Sequence, residues 1–190
     1  SEVEIKYRKK STEISFTDPL KIEKIGEEEL LKAACCNLSE SFETSASVDV
    51  SFTDAVTGTR QIQMLGLAGP YTLITRENIP DIRGLSAMYG MTFVPGTWIE
   101  SIQLNKGAGS VLNGYESIAG QINVELRKPE NAERLYLNLY ANEGGRLEAN
   151  ANWAHQIGDG KWSTAVLLHG KDNSIRHDRN DDGFLDNPLG

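Results

Sequence analysis

The residues best suited to metal chemistry lie near the end of the chain, in a run of carboxylate and amide side chains around Gly183. Their spacing matches the first half of an EF-hand calcium loop, where oxygen ligands alternate along the chain and a glycine makes the sharp turn. The candidate ligands are Asp178, Asn180, Asp182 and Asp186. Leu189 stands where the loop normally has a bidentate glutamate. The segment is therefore either a calcium site with an incomplete ligand set or a solvated acidic loop.

Two adjacent cysteines are the other residues that could bind a soft metal or undergo redox chemistry. Cys35 and Cys36 are the only cysteines in the chain. Ile22 and Ile25 lead into a predicted helix whose acidic residues at 27–29 suit a helix N-terminus. Leu30, Leu31, Ala34, Cys35 and Leu38 have the spacing of one helix face, which predicts that the cysteines belong to a helix with a buried apolar stripe. A thiolate site for copper or zinc is the alternative.

The three histidines do not form a catalytic constellation. His155 and His169 fall on neighbouring predicted strands, where the two rings could face one another, and His177 falls in a loop. The sequence has no Ser-His-Asp order, no HExxH motif and no Walker loop. The glycines at 107 and 109 lack the third glycine and the following helix of a dinucleotide fingerprint. We therefore expect that the protein is not an enzyme.

Length and charge narrow the class of protein further. The chain has 190 residues and a formal net charge of -8. This length is enough for one domain, or for one domain and part of another. An acidic balance provides no bulk attraction for nucleic acid, so we expect no nucleic-acid partner. No run of about 20 apolar residues is present, so the sequence predicts no membrane-spanning helix.

The first half of the chain reads as short strands. Alternating apolar residues predict a strand over residues 47–52 and another over residues 60–67, joined by a turn that contains Gly58. A third strand is predicted over residues 71–74. Residues 78–84 are predicted to be a loop, because Pro and Gly punctuate them.

A strand, a glycine-rich loop and a second strand make up residues 99–128. In the first strand, alternation places Ile102 and Leu104 on one face and Ile99 on the other. Ile122 and Val124 alternate with polar residues in the second strand. The loop contains Gly107, Gly109, Gly114 and Gly120. Since glycine adopts backbone conformations that other residues disfavour, we expect this loop to fit closely against neighbouring structure.

The residue order in this segment resembles the end of the plug domain of TonB-dependent outer-membrane receptors. The match consists of IESIQLNKGAGS at residues 99–110 and IAGQINV at residues 118–124. The start of the chain, SEVEI at residues 1–5, is similar to the segment before the plug in Bacteroidetes-type receptors. Gly109 and Asn113 depart from the family pattern, which often has Ala and Tyr there.

Three longer strands follow the motif. Residues 135–141, 147–154 and 162–168 alternate between apolar and polar side chains, with glycine turns at 144–145 and 158–160. Each strand is about ten residues long, which is the length that a tilted strand needs to cross a bilayer. An ordinary half-buried antiparallel sheet has the same pattern and is the alternative. Three strands cannot close a barrel, so we expect further strands beyond residue 190.

The resemblance implies an α+β fold class with two parts. Residues 1–128 would form a plug domain of mixed short β-sheet with small helices, and residues 129–190 the first three antiparallel strands of an incomplete transmembrane β-barrel. It further implies an active transporter of the cell outer membrane, whose plug gates uptake of a metal chelate or another scarce nutrient. TonB would engage the N-terminal side. A surface binding or protein-interaction module without transport activity is the alternative.

The resemblance also implies that outward-facing plug loops contact the transported substrate. The candidate loops cover residues 66–71 and 88–93. The candidate contact residues are Met64, Met88, Tyr89 and Met91. The thioether groups of the three methionines could make soft contacts, although methionine more often fills gaps in a core.

Overall fold

The computed structural model describes residues 12–14, 22–26, 29–30, 37–42, 45–52, 60–84, 86, 90–109, 116–143, 145–158, 161–172, 178 and 181–183. The SEVEI segment, the cysteine pair and most of the predicted helix lie outside these residues, although residues 29 and 30 are helical. Within the described residues, no helix is both long and apolar enough to cross a membrane.

Twelve β-strands form three sheets in the described part of the chain. The strands are β1 (Thr12–Ile14), β2 (Ile22–Gly26), β3 (Val48–Phe52), β4 (Arg60–Met64), β5 (Leu67–Ala68), β6 (Thr72–Arg76), β7 (Ile79–Ile82), β8 (Ile99–Lys106), β9 (Gly120–Leu126), β10 (Leu135–Ala141), β11 (Leu147–Ile157) and β12 (Trp162–Asp172). Short 3₁₀ helices cover Glu40–Phe42, Gly69–Tyr71, Gly90–Phe93 and Gly96–Trp98.

The central sheet has the strand order β1-β2-β8-β9-β6-β7. Only β6 and β9 run parallel within it, and its other neighbours are antiparallel. The small sheet, β3-β4-β5, contains the hairpin that the sequence predicted. Both sheets share one hydrophobic core, which includes Leu38, Phe42, Ile62, Ile102 and Ile122. The mixed sheet with small helices confirms the predicted α+β plug fold.

A β-bulge changes the predicted faces of β8. The pairing register with β9 shifts between Ile99 and Ser101. This extra residue reverses the alternation, so Ile99 is buried in the same core as Ile102 and Leu104. The prediction that Ile99 faces the other way was therefore wrong, because a strict period of two holds only in an uninterrupted ladder.

Residues 79–82 form an edge strand, where the sequence analysis predicted a loop. Glu77 and Asn78 have φ values of 51° and 63°, which is the backbone of a tight two-residue hairpin turn. Pro80 is tolerated in β7 because an edge strand has one row of unpaired backbone groups. Pro80 suggested a loop in the sequence, but it is compatible with a strand at the edge of the sheet.

Residues 22–26 are a strand rather than the approach to a helix. β2 lies between β1 and β8, and Ile25 is buried in the core. Ile22 and Ile25 are three positions apart, a spacing that also fits a helix face. The structure selects the strand, because residues 22–26 pair with β8 from Ile22 opposite Asn105 to Gly26 opposite Ser101.

Glu77 clamps the end of β9 at the boundary between the two parts of the chain. Its carboxylate accepts a hydrogen bond of 2.8 Å from the Leu126 backbone N–H and a second one from Lys128 Nζ. Burial by itself raises the pKa of Glu77, but these two hydrogen bonds and the Lys128 charge outweigh it, so the pKa lies below its usual value of 4.5.

We expect Glu77→Gln to remove a small, pH-dependent part of the stability. Because the folded-state pKa is below the unfolded-state value, ionised Glu77 stabilises the fold at neutral pH, and this contribution is lost as the pH falls through the folded-state pKa. The side chain is about a third exposed, so the effect at pH 7 is below about 1 kcal/mol. In urea unfolding, the free energy of unfolding of Glu77→Gln should be lower than that of wild type at about pH 7 and equal to it at about pH 3. The exposed Glu133→Gln serves as the control; an equal loss at both pH values would contradict the clamp.

The C-terminal sheet consists of β10, β11 and β12 in sequence order, all antiparallel. Its strands begin where the sequence predicted, although β11 and β12 extend three and four residues further than predicted. Gly145 makes the first turn with a φ of 77°, and Gly158 begins the second with a φ of 58°. Both conformations favour glycine, which explains why the turns were visible in the sequence.

Candidate functional site at a polar interface

The C-terminal sheet buries its polar face and exposes its apolar face. Along β11, the buried side chains are Glu148, Asn150, Asn152 and Ala154. The opposite faces of the three strands carry the exposed large apolar residues, namely Leu135, Leu137, Leu139, Leu147, Trp153, Trp162, Val166 and Leu168. A sheet of a water-soluble domain has the reverse arrangement. This polarity is the one expected of a wall between lipid and a polar interior.

An ion-pair network connects the buried face of this sheet with the first part of the chain. Arg146 Nη1 lies 2.9 Å from Glu40 Oε1, and Arg146 Nε lies 2.5 Å from Glu148 Oε1. Arg60 Nη2 lies 3.9 Å from the same oxygen of Glu40. Arg146, Glu40 and Glu148 are all at least nine-tenths buried. Two carboxylates and two guanidinium groups therefore compensate one another in a desolvated place, where an isolated charge would be costly.

Glu40 is held in place by the chain around it. The Asn37 side chain accepts a hydrogen bond from Glu40 N–H at 3.2 Å and donates one to Glu40 Oε1 at 3.2 Å. Leu38 and Phe42, on either side, are fully buried and anchor the 3₁₀ turn. Leu38 N–H also donates to Val94 O at 2.8 Å. The carboxylate is thus presented from a fixed turn and not from a mobile loop.

Arg146 is positioned by the hairpin between β10 and β11. Asn142 N–H donates to Arg146 O at 3.1 Å, and the Asn142 side chain accepts from Arg146 N–H at 3.0 Å. Gly145 N–H closes the turn on Asn142 O at 3.1 Å. The turn residues therefore direct Arg146, which immediately precedes β11, toward the interface.

Thr97 makes a second, uncharged set of contacts across the interface. Its hydroxyl donates to Asn150 Oδ1 at 2.9 Å, and its carbonyl accepts from Asn152 Nδ2 at 3.4 Å. Arg127 Nε donates to the same carbonyl at 2.8 Å, and its guanidinium lies 5.3 Å from the ring centroid of Tyr136. Hydrogen bonds and charged groups of the described residues therefore join the two parts.

The histidines take separate positions. His169 pairs with Asn150 across β11 and β12, and its Nδ1 lies 2.7 Å from Asn150 Oδ1. His155 pairs with Thr164, is exposed, and stacks on Trp153 with ring centroids 5.6 Å apart. The two rings do not face one another, because the register separates them along the strands. The prediction that they could do so was wrong, and His177 lies outside the described residues.

The predicted substrate-contact residues fall in two groups. Met64 and Met91 belong to the hydrophobic core, with 0% and 2% of their surface exposed. Their burial favours packing, and contact with a substrate stays a prediction for both. Met88 and Tyr89 lie outside the described residues. In the two candidate loops, the exposed large side chains of the described part are Leu67, Tyr71 and Phe93.

A cavity of about 230 Å³ lies beside the first of these loops. Its described lining includes Gly69 and Pro70 of that loop and a wall of Ile62, Thr72, Ile74, Ile82, Arg83, Gly84 and Glu116. Arg83 Nε lies 2.8 Å from Glu116 Oε2. The buried Thr72 hydroxyl has no hydrogen-bond partner among the described residues. The cavity thus combines an apolar wall with a hydroxyl and an ion pair, as small-molecule sites do.

The candidate calcium loop is described only in part. The Asp178 carboxylate accepts hydrogen bonds from Gly183 N–H at 2.8 Å and Asp182 N–H at 3.2 Å. Asn180 and Asp186 lie outside the described residues. Among those that are described, no three His, Cys, Asp or Glu side chains are arranged to hold a metal ion. Calcium binding here stays a prediction.

Sequence reasoning identified the polar face of the C-terminal sheet but missed the residues that it contacts. The alternation of Glu148, Asn150 and Asn152 with apolar residues is visible in the sequence. Glu40 and Arg146 are 106 positions apart, and nothing local marks them as partners. The charged Glu40 lies between Leu38 and Phe42, and a charge between apolar residues is the only local signal that the sequence offers.

Comparison with solved structures supports the fold. The ferripyoverdine receptor of the Pseudomonas aeruginosa outer membrane matches 83% of this chain with a TM-score of 0.69 and 15% identity. The ferric yersiniabactin uptake receptor FyuA of Yersinia pestis matches 79% with a TM-score of 0.65 and 18% identity. The ferric-catecholate import receptor Fiu of Escherichia coli matches 81% with a TM-score of 0.64 and 18% identity.

The chain covers 21%, 24% and 21% of these three receptors, so it spans about a fifth to a quarter of their length. No curated protein matches the sequence. The matched receptors combine a plug with a barrel, and the three sheets described above correspond to a plug and part of a barrel.

The sequence-family model of the TonB-dependent receptor plug domain matches residues 16–121 of this chain. This range contains β2 to β8, nearly all of the core and the first two residues of β9, and it is more than half of the chain. The Bacteroidetes type stays a prediction. Taken together with the mixed central sheet and the glycine-rich motif before β9, the match shows that this chain belongs to the TonB-dependent receptor plug domain family.

Proposed function

We propose that this chain is the plug and the first wall strands of an active outer-membrane transporter that gates the uptake of a metal chelate or another scarce nutrient. The observation that carries the proposal is the reversed polarity of the C-terminal sheet. Its exposed face is apolar, while its polar face is covered by the plug residues. A wall in contact with lipid outside and a polar plug inside needs this arrangement.

A polar interface also suits a plug that has to move. Apolar packing between plug and wall would resist separation, whereas hydrogen bonds to Thr97 and ion pairs to Glu40 can be replaced by hydrogen bonds to water. Local opening from one end then costs less than global unfolding. We propose TonB, engaging the N-terminal side, as the partner that drives this opening.

We propose a ferric chelate as the substrate class, because the names of three similar receptors refer to ferric yersiniabactin, ferric catecholates and ferripyoverdine. The proposed contacts are the loops at residues 66–71 and 88–93 together with the cavity beside them, which combines apolar walls with Thr72 and Arg83. Arg83 lies nearly half exposed at the cavity, so its guanidinium is available to an anionic chelate.

The test is uptake of iron-labelled chelates by cells with and without the full-length gene. We expect the gene to confer uptake, and Arg83→Gln to weaken the apparent affinity about tenfold, as loss of a charged hydrogen bond does. Arg76→Gln is the matched control, because Arg76 makes a similar ion pair with Asp81 on the same hairpin away from the cavity. Absence of gene-dependent uptake of any chelate would overturn the transport proposal and favour the binding module. Equal effects of the two variants would overturn only the contact at Arg83.

A further inference from the structure

We propose that the cavity beside residues 66–71 receives one aromatic arm of the transported chelate, with a neutral hydroxyl at the inner end of the arm and an anionic group at its outer end. This inference rests on the proposed function and narrows its substrate class to chelates with hydroxyaryl arms. The size of the cavity, the burial of its floor and a buried hydroxyl without a partner support it.

The cavity is too small for a whole ferric chelate. Its volume is about 230 Å³, which is below the range of about 300–1,000 Å³ that is usual for sites enclosing a complete drug-sized ligand. At about 30 Å³ per molecule of liquid water, this volume equals about seven or eight waters. A six-membered ring with one or two small substituents has a similar number of non-hydrogen atoms. The cavity therefore takes one arm of a chelate, and the metal centre stays outside.

The floor of the cavity is apolar and excludes charge. Ile62, Ile74 and Ile82 line it from β4, β6 and β7. All three are buried, with at most 7% of their surface exposed. An ionised group placed against them would lose its hydration without gaining a partner, which is strongly unfavourable. The part of the ligand that reaches the floor is therefore apolar and uncharged.

A buried hydroxyl in this floor lacks a partner. Thr72 lines the cavity at the start of β6 and is 5% exposed. Its hydroxyl has no hydrogen-bond partner among the described residues. Buried polar atoms are nearly always hydrogen-bonded, and a hydroxyl can both donate and accept. A phenolic hydroxyl on the ligand can pair with it and stays neutral at pH 7.

The mouth of the cavity carries the charge. Pro70, Arg83 and Gly84 are exposed, so the cavity opens on this side. Arg83 Nε donates to Glu116 Oε2 at 2.8 Å, which compensates the carboxylate. A guanidinium has five N–H donors. The other N–H groups of Arg83 can therefore bind an anionic group at the outer end of the arm.

An aromatic ring meets these conditions better than a flexible chain. It is apolar on both faces, can carry a hydroxyl and a carboxylate at opposite ends, and spans the cavity from floor to mouth as a rigid unit. An aliphatic arm would lose rotational freedom about each of its single bonds when it is ordered. A sugar would bring several hydroxyl groups to a floor where Thr72 offers one partner, and the others would stay unpaired.

Binding of small aromatic acids to the purified full-length receptor tests the cavity directly. The probe is 4-hydroxybenzoate, which carries a hydroxyl and a carboxylate at opposite ends of one ring, and benzoate is the matched ligand without the hydroxyl. Ligand-observed NMR titration should give a dissociation constant of about 1 mM or tighter for 4-hydroxybenzoate, as expected for about ten non-hydrogen atoms. Benzoate should bind about tenfold more weakly, because it leaves the Thr72 hydroxyl unpaired.

Variants of Thr72 separate this contact from packing. Thr72→Val nearly keeps the shape of the side chain but removes its hydroxyl, so it should abolish the preference for 4-hydroxybenzoate without weakening the binding of benzoate. Thr72→Ser keeps the hydroxyl and should keep the preference. Equal binding of the two ligands to wild type, or an unchanged preference in Thr72→Val, would overturn the proposal. If Thr72→Val does not fold, the comparison of the two ligands on wild type still decides.

Binding of these acids requires no iron, no TonB and no transport, so its failure is distinct from failure of chelate uptake. In cells that take up ferric chelates, those with hydroxyaryl arms should be preferred about tenfold over aliphatic hydroxamates of equal charge, and Thr72→Val should remove this preference. Uptake that does not distinguish the two classes would overturn the aryl assignment and leave the transport proposal intact.

Discussion

Gly120→Ala is expected to lower the free energy of unfolding by about 3 kcal/mol, at the upper end of the usual cost of overpacking. A Cβ at this position would lie 2.2 Å from Met64 Sδ and 2.4 Å from Asn105 O. The sulfur is fully buried, and the carbonyl belongs to the backbone of β8, beside the Lys106 to Gly120 pair. Neither atom can move without disturbing the core or the ladder.

Gly170→Ala is the matched control, because it is also a strand glycine but has no atom within 4 Å of its ideal Cβ. Its effect should stay within about 0.5 kcal/mol. Urea unfolding of the purified protein measures both variants. Adding Met64→Ala to Gly120→Ala relieves the sulfur contact only, so we expect incomplete recovery. Equal stability of the two glycine variants would show that β8 and β9 do not approach as closely as described.

The second expected result concerns the exposed face of the C-terminal sheet. Leu137→Lys should destabilise the full-length receptor in a bilayer by about 2–4 kcal/mol, the cost of a lysine on the lipid face near the midplane of a barrel. Leu137 is 66% exposed. On a water-soluble domain, replacing such a residue by lysine would change stability by less than about 0.5 kcal/mol. The variant therefore distinguishes a lipid-facing wall from an ordinary half-buried sheet.

Ile79→Lys provides the comparison, because Ile79 is 68% exposed but lies on the edge strand β7 of the plug. We expect it to be nearly neutral. Denaturant titration of both variants in phospholipid vesicles measures the difference. If Leu137→Lys were as harmless as Ile79→Lys, the C-terminal sheet would not face lipid, and the surface binding module would become the better explanation.

Local sequence patterns were sufficient to predict an element wherever its own residues and the adjacent turn determine its structure. The β3–β4 hairpin, the motif before β9 and the three strands after residue 134 were all predicted. Alternation with a period of two and glycines at turns with positive φ are properties of neighbouring residues, so they can be read without a partner. The alternation of apolar and polar residues in the C-terminal sheet was visible for the same reason, whereas the burial of its polar face was not.

Pairing between strands decided the cases in which a local pattern was ambiguous. Ile22 and Ile25 fit a helix face or a strand, and contact with β8 selects the strand. Pro80 indicates a loop until β6 pairs with β7 and leaves its other side free. The bulge after Ile99 cannot be read from β8 alone, because it exists only relative to β9.

The sequence by itself determined the family, most of the longer strands and the two-faced character of the last sheet, because each depends on short-range order along the chain. The tertiary structure alone decided that Met64 and Met91 lie in the core and that Glu40 meets Arg146. Those contacts join residues far apart in sequence. Their formation depends on how the sheets pack, and no local preference of either residue encodes it.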